Sequence, residues 1–478
     1  MAARKNILII VCDQLSQQAV GAYGNPHVNT PNIDALAERG VRFENAYTPL
    51  PLCRPARAAY WTGLFPHATG VLSNGLDFSD EPVGEDIPTL GEIFSAAGYD
   101  CRHFGKTHDH GTLRGFDIEP ERQGQMEPVE PWSINGDTLQ DGYSVPRCEE
   151  FLRGEHDQPF LCVMDIQNPH NICGWVGENQ GEHEDKPVPG ELPPLPDNFE
   201  FDDIDNRPKP IQYLCCSHRR QKHAAHWNEE NFRHYLAAYY HYVARGDEAV
   251  GRVMAALEES GLTEDTLVVF FADHGEGMAA HRLVTKHTTF YEESNRIPLV
   301  FAGPGVNGAD RTEGRPLVSL LDILPTLCDY ARLEAPQVQH GRSIHGWVTG
   351  EQTEDDREYV AGEWHTEWGL TVEPGRMIRT QRYKYTRYLE DDGEELFDLQ
   401  EDPGETKNQA GNPDYAEQLE RHRRLLQDHI ERTNDPFFEM EWKADERWRS
   451  HPVGFEHHTG PSTRCAWDAE QQDKKKFL

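Results

Sequence analysis

Four short runs of apolar, mostly β-branched residues, at 7–11, 161–166, 267–272 and 298–301, constrain the fold most. None alternates with polar residues, and each is bounded by polar, Gly or Pro positions, so each reads as a strand buried on both faces. Such strands need helices above and below them. The stretch 231–260 supplies a clear one, with Leu236, Tyr239, Val243, Val250, Val253, Met254 and Leu257 at helical spacing before Gly261 ends the run. The alternation predicts an α/β sandwich built on a large, mainly parallel sheet.

With 478 residues, 37% of them hydrophobic, the chain can bury one large core and one small one. A Gly, Thr and acid cluster at 350–357 places the boundary, giving domains over 1–355 and 356–478. The segment 377–388 and a helical pattern at 415–432 predict a smaller C-terminal α+β domain with a small sheet and a helix. Residues 174–221, rich in Pro, Gly and acids without periodicity, read as a long surface excursion. The tail after 434 carries Phe437, Phe438, Trp442, Trp448 and Trp467, which with that excursion offer stacking surfaces for sugar rings.

Acidic residues number 82 against 46 basic ones, a formal charge of -36, so nucleic acid is excluded as a partner. The ten Cys are too dilute for a disulfide scaffold and show no paired CxxC spacing. The apolar run 6–11 is too short for a signal-peptide core or a membrane span. No membrane association and a cytoplasmic location are therefore expected.

The segment 52–63 carries the strongest chemical signal. Pro51 and Pro55 bracket Cys53, and good helix formers follow, so Cys53 should open a helix, where the dipole favours an anion. Arg57 lies one turn on, on the same face. Together they describe an activated nucleophile facing an anionic substrate, and equally a buried Cys beside an Arg paired with a carboxylate.

The pattern Cys53-x-Pro55-x-Arg57, followed by Thr62-Gly63, resembles the signature of the type I sulfatases, members of the alkaline phosphatase superfamily. The resemblance runs from about Asn6 to about Asn408 and implies an alkaline-phosphatase-like fold. It implies that a maturation enzyme converts Cys53 to formylglycine, whose hydrated aldehyde attacks sulfur and later expels sulfate by elimination. The strand ends at Asp13 and at Asp273-His274 resemble the family's metal motifs, and the ends of strands are where an α/β sheet places ligands. The implied ligands of one divalent cation are Asp13, Asp273, His274 and the modified Cys53. Cys12 stands where many relatives have a second Asp, and Asp-His replaces Asp-Asn, as in choline sulfatases and phosphonate monoester hydrolases. Calcium is the expected ion, and the imidazole makes manganese the alternative.

Further motifs imply the sulfate contacts. Gly105-Lys106-Thr107-His108 resembles the family's Gly-Lys-x-His, with Lys106 on the bridging oxygens and His108 as the base that breaks the covalent intermediate. His170, after Pro169, would serve the leaving group as donor or acid. Lys286 or its neighbour His287 fills the last cationic place, and Glu363-Trp364-His365 could line the pocket from the C-terminal side. The expected function is hydrolysis of a sulfate ester, on a small molecule or an oligosaccharide and, most specifically, a carbohydrate sulfate. Two alternatives stand beside it: a phosphonate or phosphate mono- or diester hydrolase of the same fold, and a non-catalytic binding protein with unmodified Cys53.

Overall fold

The computed structural model describes residues 5–440 except 75–81, 120–138, 180–190, 201–206, 209, 212–220, 222–223, 225–226, 287–288, 309–310, 353, 355–356, 366–372 and 390–392. Its strands in chain order are β1 (Asn6–Cys12), β2 (Gly40–Phe43), β3 (Ala46–Tyr47), β4 (Asp100–Gly105), β5 (Asp117–Ile118), β6 (Phe160–Ile166), β7 (Thr266–Ala272), β8 (Leu299–Ala302), β9 (Arg311–Glu313), β10 (Val318–Ser319), β11 (Val360–Trp364), β12 (Gly375–Arg379), β13 (Tyr383–Tyr388) and β14 (Glu394–Asp398). Eight of them form one sheet in the order β5-β4-β6-β1-β7-β8-β2-β9. The pairs from β5 to β7 are parallel, and β8 runs antiparallel to both β7 and β2. This is the large mainly parallel sheet expected from the four apolar runs.

Each central strand is apolar because it is covered on both faces. From Ile7 to Cys12 every residue of β1 is fully buried, and β6 and β7 are buried along their whole lengths. The long helix Glu229–Glu259 lays its apolar stripe on one face, capped by Asn228, whose side chain accepts from the Asn231 N–H. No helix among the described residues is long and apolar enough to cross a membrane.

Several helices escape the pattern reading, and two of them pack on the long helix. The helix Leu139–Arg153 carries Pro146 inside it, which breaks the helical signature, yet it packs on the long helix and on β4. The helix Ile172–Asn179 occupies the first part of the segment read as an excursion. It forms because Trp175 and Val176 are buried, with the Trp175 ring edge-on to Trp227 at 6.0 Å. Tertiary burial here overrides the low periodicity of the surrounding sequence.

The smaller C-terminal sheet is antiparallel, in the order β11-β12-β13-β14, and the helix Ala416–Thr433 packs against β12 and β13. Lys384 on β13 ties this sheet to its surroundings, as its Nζ donates to Phe290 O at 2.6 Å and pairs with Glu292 and Glu405 at 2.8 Å each.

Candidate active site

Strand register assembles the site. Cys12 pairs with Ala272 across β1 and β7, so the next residues, Asp13 and Asp273, leave the sheet side by side. On the other flank Cys12 pairs with Ile166, and Gly105 on β4 pairs with Asp165 on β6, which brings Lys106 to the same edge. At Gly105 φ is +98° and a Cβ would lie 2.0 Å from Asp165 O, so only glycine lets the chain turn there. The C-terminal ends of four neighbouring strands thus converge where an α/β sheet binds ligands.

The helix Cys53–Thr62 points its N-terminus at this edge and ends at Gly63, which adopts φ 72° and donates its N–H to Ala59 O at 2.8 Å. All of its residues except Arg54 are buried. The Cys53 sulfur lies 3.2 Å from His274 Nε2, 3.7 Å from Asp13 Oδ1, 2.8 Å from Lys286 Nζ and 3.8 Å from Lys106 Nζ. Burial and the Asp13 charge push the thiol pKa up. The positive charges of Lys106, Lys286 and His274 outweigh them and hold it well below the ordinary thiol value. The residue behaves as an anion site at a helix N-terminus.

Lys286 meets Cys53, and Cys53 and Asp13 override the effect of burial and keep it protonated. His287 lies outside the described residues. Lys106 also forms an ion pair with Asp13. His108 has its pKa lowered by burial and by Lys106, against a hydrogen bond to Cys53 that raises it. His170 is held well below the usual imidazole value by burial and then by Lys106 and Lys286. Both imidazoles therefore sit among the charges that surround residue 53.

The donor atoms of Asp13, Cys53, Asp273 and His274 all lie within 4.8 Å of one another, and all four residues are fully buried. Burial, then repulsion from Asp13, pushes the Asp273 carboxyl up to about 7. A divalent ion between the two carboxylates removes that repulsion, so two oxygens and one imidazole fit such an ion. His274 Nδ1 faces Gly275 O at 2.8 Å, which leaves Nε2 for the site.

Sequence reasoning missed Asp165. Arg57 is fully buried and forks onto it, with Nη2 to Oδ1 at 3.0 Å and Nη1 to Oδ2, while Nη2 also reaches Asp13 at 3.1 Å and Asp273 at 3.2 Å. An acid inside the apolar run 161–166 was the available signal, because a carboxylate in a doubly covered strand needs a cation. Glu276 was also missed: its carboxylate accepts from Tyr235 OH and from Gln14 Nε2, and burial pushes it up to about 7. The Gln14 N–H donates to Asp273 Oδ1 at 3.0 Å, and Tyr235 OH accepts from Thr285 N at 2.9 Å. Glu276 therefore braces both the Asp13 turn and the Lys286 loop.

Glu363, Trp364 and His365 form a separate cluster. Trp364 is 0% exposed and offers no surface to a ligand, while Glu363 accepts from His67 N at 3.0 Å, faces His67 Nδ1 at 2.5 Å and meets His365 Nε2 at 3.2 Å. Arg376 lies against His365 and pairs with Asp435, Nη2 to Oδ1 at 2.8 Å. His67 Nε2 faces Thr433 O at 3.1 Å, so both ring nitrogens meet acceptors and both must carry protons. Phe437 packs under Arg376 at 4.6 Å, whereas Trp442, Trp448 and Trp467 lie outside the described residues.

Burial lowers the His67 pKa, but the Glu363 hydrogen bond and charge override it and raise the value, while Glu363 is held well below the carboxylate range. A raised histidine stabilises the fold fully below its unfolded value near pH ~6.5 and stops doing so as pH climbs through the folded value. The thermal midpoint lost in His67→Gln should therefore be large at pH ~6 and shrink by pH ~9. A loss that is equal at both pH values would refute this.

The sulfatase family model matches residues 5–333, and the C-terminal model of N-sulphoglucosamine sulphohydrolase matches 280–432. A Δ4,5-hexuronate-2-O-sulfatase of Bacteroides thetaiotaomicron is 47% identical, over 96% of this chain and 96% of the relative. A solved 2-O GAG sulfatase superposes with a TM-score of 0.89 at 46% identity, covering 96% of this chain and 99% of that one. The phosphonate monoester hydrolase of Agrobacterium radiobacter superposes with a TM-score of 0.76 at 25% identity, covering 91% and 97%. On this site and these likenesses, the chain belongs to the sulfatase family, whose members hydrolyse sulfate esters.

Proposed function

We propose that this sulfatase removes the 2-O-sulfate from a hexuronate carried by a glycosaminoglycan-derived oligosaccharide. The reaction rests on one observation: Lys286, Lys106 and His274 converge on the Cys53 side chain beside a donor set that fits a divalent ion. The substrate rests on the likeness to the hexuronate-2-O-sulfatase.

In this reading the Cys53 sulfur stands where a formylglycine oxygen would be, and the modification supplies the attacking hydroxyl that a thiol lacks. Asp13, Asp273, His274 and residue 53 would hold the ion, calcium with manganese as the alternative, which would draw charge from the sulfate oxygens. Lys106 and Lys286 bind the sulfate and balance the charge that grows on it. His170 donates to the leaving sugar oxygen, and His108, facing residue 53, takes the proton whose loss expels sulfate. Arg57 acts as a positioning residue, holding Asp13 and Asp273 in place from behind.

Chelation should lower kcat on a 2-O-sulfated hexuronate disaccharide by at least about 100-fold, and calcium or manganese added back should restore it. A peptide spanning residue 53 about 18 Da lighter than its sequence mass would mark the modification. An unmodified peptide in fully active protein would refute the nucleophile. The likeness to a phosphonate monoester hydrolase and the lone Asp13 favour one second reading, which holds if phosphonate monoesters are turned over faster than every sulfate.

A further inference from the structure

Lys286 Nζ sits 2.8 Å from the Cys53 sulfur, so any sulfate contact it makes depends on where a long, flexible side chain is rooted. Its root is the end of a loop that closes on itself: Gly277 N donates to Thr285 O at 2.9 Å, and Ala279 N to Leu283 O at 3.0 Å. Within the loop Met278, Ala279, His281, Arg282 and Thr285 all have φ between 51° and 61°, a left-handed conformation that a Cβ disfavours. Every residue from 278 to 286 is buried. Backbone of this kind persists only where its surroundings fix it from several sides.

Two side chains from outside the loop grip the main chain just before Lys286. Tyr235 OH, already tied to Glu276, accepts from Thr285 N at 2.9 Å. Gln221 uses both ends of its amide: Nε2 donates to Arg282 O at 2.8 Å, and Oε1 accepts from Val284 N at 3.0 Å. An amide that reads an acceptor and a donor two residues apart fixes both the position and the rotation of that backbone. Because Gln221 is only 2% exposed, its amide serves the loop and not solvent. Gln221 closes the irregular stretch 174–221, whose Asn198 O also accepts from His281 N at 2.8 Å.

We infer that Gln221 is a positioning residue for Lys286, holding the strained loop so that the ammonium meets the sulfate beside residue 53. The inference rests on the reading of Lys286 as a sulfate ligand. Without the amide the loop is free to relax toward negative φ, and a shift of about 1 Å at the Lys286 backbone is enough to cost about 100-fold in rate. The stretch 174–221 thus acts on the sulfate from behind the site, through the main chain of the Lys286 loop.

The test is a double-variant cycle in metal-replete enzyme, read as kcat/KM on a 2-O-sulfated hexuronate disaccharide, with wild type, Gln221→Met, Lys286→Ala and the pair. Methionine keeps the length of glutamine and drops both hydrogen bonds. Gln221→Met should lower kcat/KM about 10- to 100-fold, and Lys286→Ala about 100-fold or more. In the pair, Gln221→Met should cost less than about twofold beyond Lys286→Ala, because a residue that works through Lys286 then has nothing left to position. Gln221→Glu keeps the acceptor for Val284 N and loses the donor to Arg282 O. It runs through the same cycle with the same expectation, so the test stands if Gln221→Met does not fold. Losses that multiply in the pair, or Gln221→Met within about twofold of wild type, would overturn the inference while leaving Lys286 as the sulfate ligand. Failure of the underlying reading has a different signature: Lys286→Ala would match wild type, and the role of Gln221 would fall with it.

Discussion

Cys53→Ala should lower kcat/KM on a sulfate ester by about 10⁴-fold or more, the scale on which loss of a nucleophile acts. The reason is positional. Lys286 Nζ at 2.8 Å and His274 Nε2 at 3.2 Å are aimed at the side chain of residue 53, so removing it leaves the surrounding charges with nothing to activate. The same substitution deletes a single buried heavy atom, so the fold should survive at a cost of about 1 kcal/mol. Stopped-point assays on an aryl sulfate and on the uronate disaccharide, beside a thermal melt, check both halves. Retention of more than about 1% of wild-type activity would remove Cys53 from the mechanism.

Arg57→Met should cost about 3–5 kcal/mol of stability and most of the activity. Arg57 is fully buried among Asp13, Asp165 and Asp273, and those charges hold it protonated against the pull of burial. A divalent ion can compensate Asp13 and Asp273, but among the described residues Asp165 forms ion pairs only with Arg57 and, at 3.8 Å, His103 Nε2. Its charge is the one stranded by the substitution. Adding Asp165→Leu to Arg57→Met should therefore recover much of the thermal midpoint, since a buried pair can be replaced by apolar groups of similar size. Activity should stay low in the double variant, because Asp13 and Asp273 would still lack the guanidinium that aligns them. A single variant that melts with wild type would show that Arg57 does not carry this load.

Much of the site was legible before any coordinates. The runs 7–11 and 267–272 announced buried strands, and the structure brings Asp13 and Asp273-His274, at their ends, together. Cys53 and Arg57 share one face of the helix Cys53–Thr62. These features are local, since period, turn residues and a strand end depend on a few neighbours in the chain. The helices Leu139–Arg153 and Ile172–Asn179 were not legible, because Pro146 and a Gly-rich context hide what burial against the long helix enforces.

The sequence alone determined the strand tips, the helix that opens with Cys53 and the kinds of side chain available to bind an anion. Only the tertiary structure decided who partners whom: Lys286 on Cys53, Asp165 on Arg57, Glu276 between Gln14 and Tyr235, and Glu363 with His67 instead of with a ligand. A buried charge takes whichever opposite charge the sheet order brings within a few ångströms, and that choice spans 108 residues between Arg57 and Asp165. Strand order and register, not any nearby pattern in the chain, set that distance.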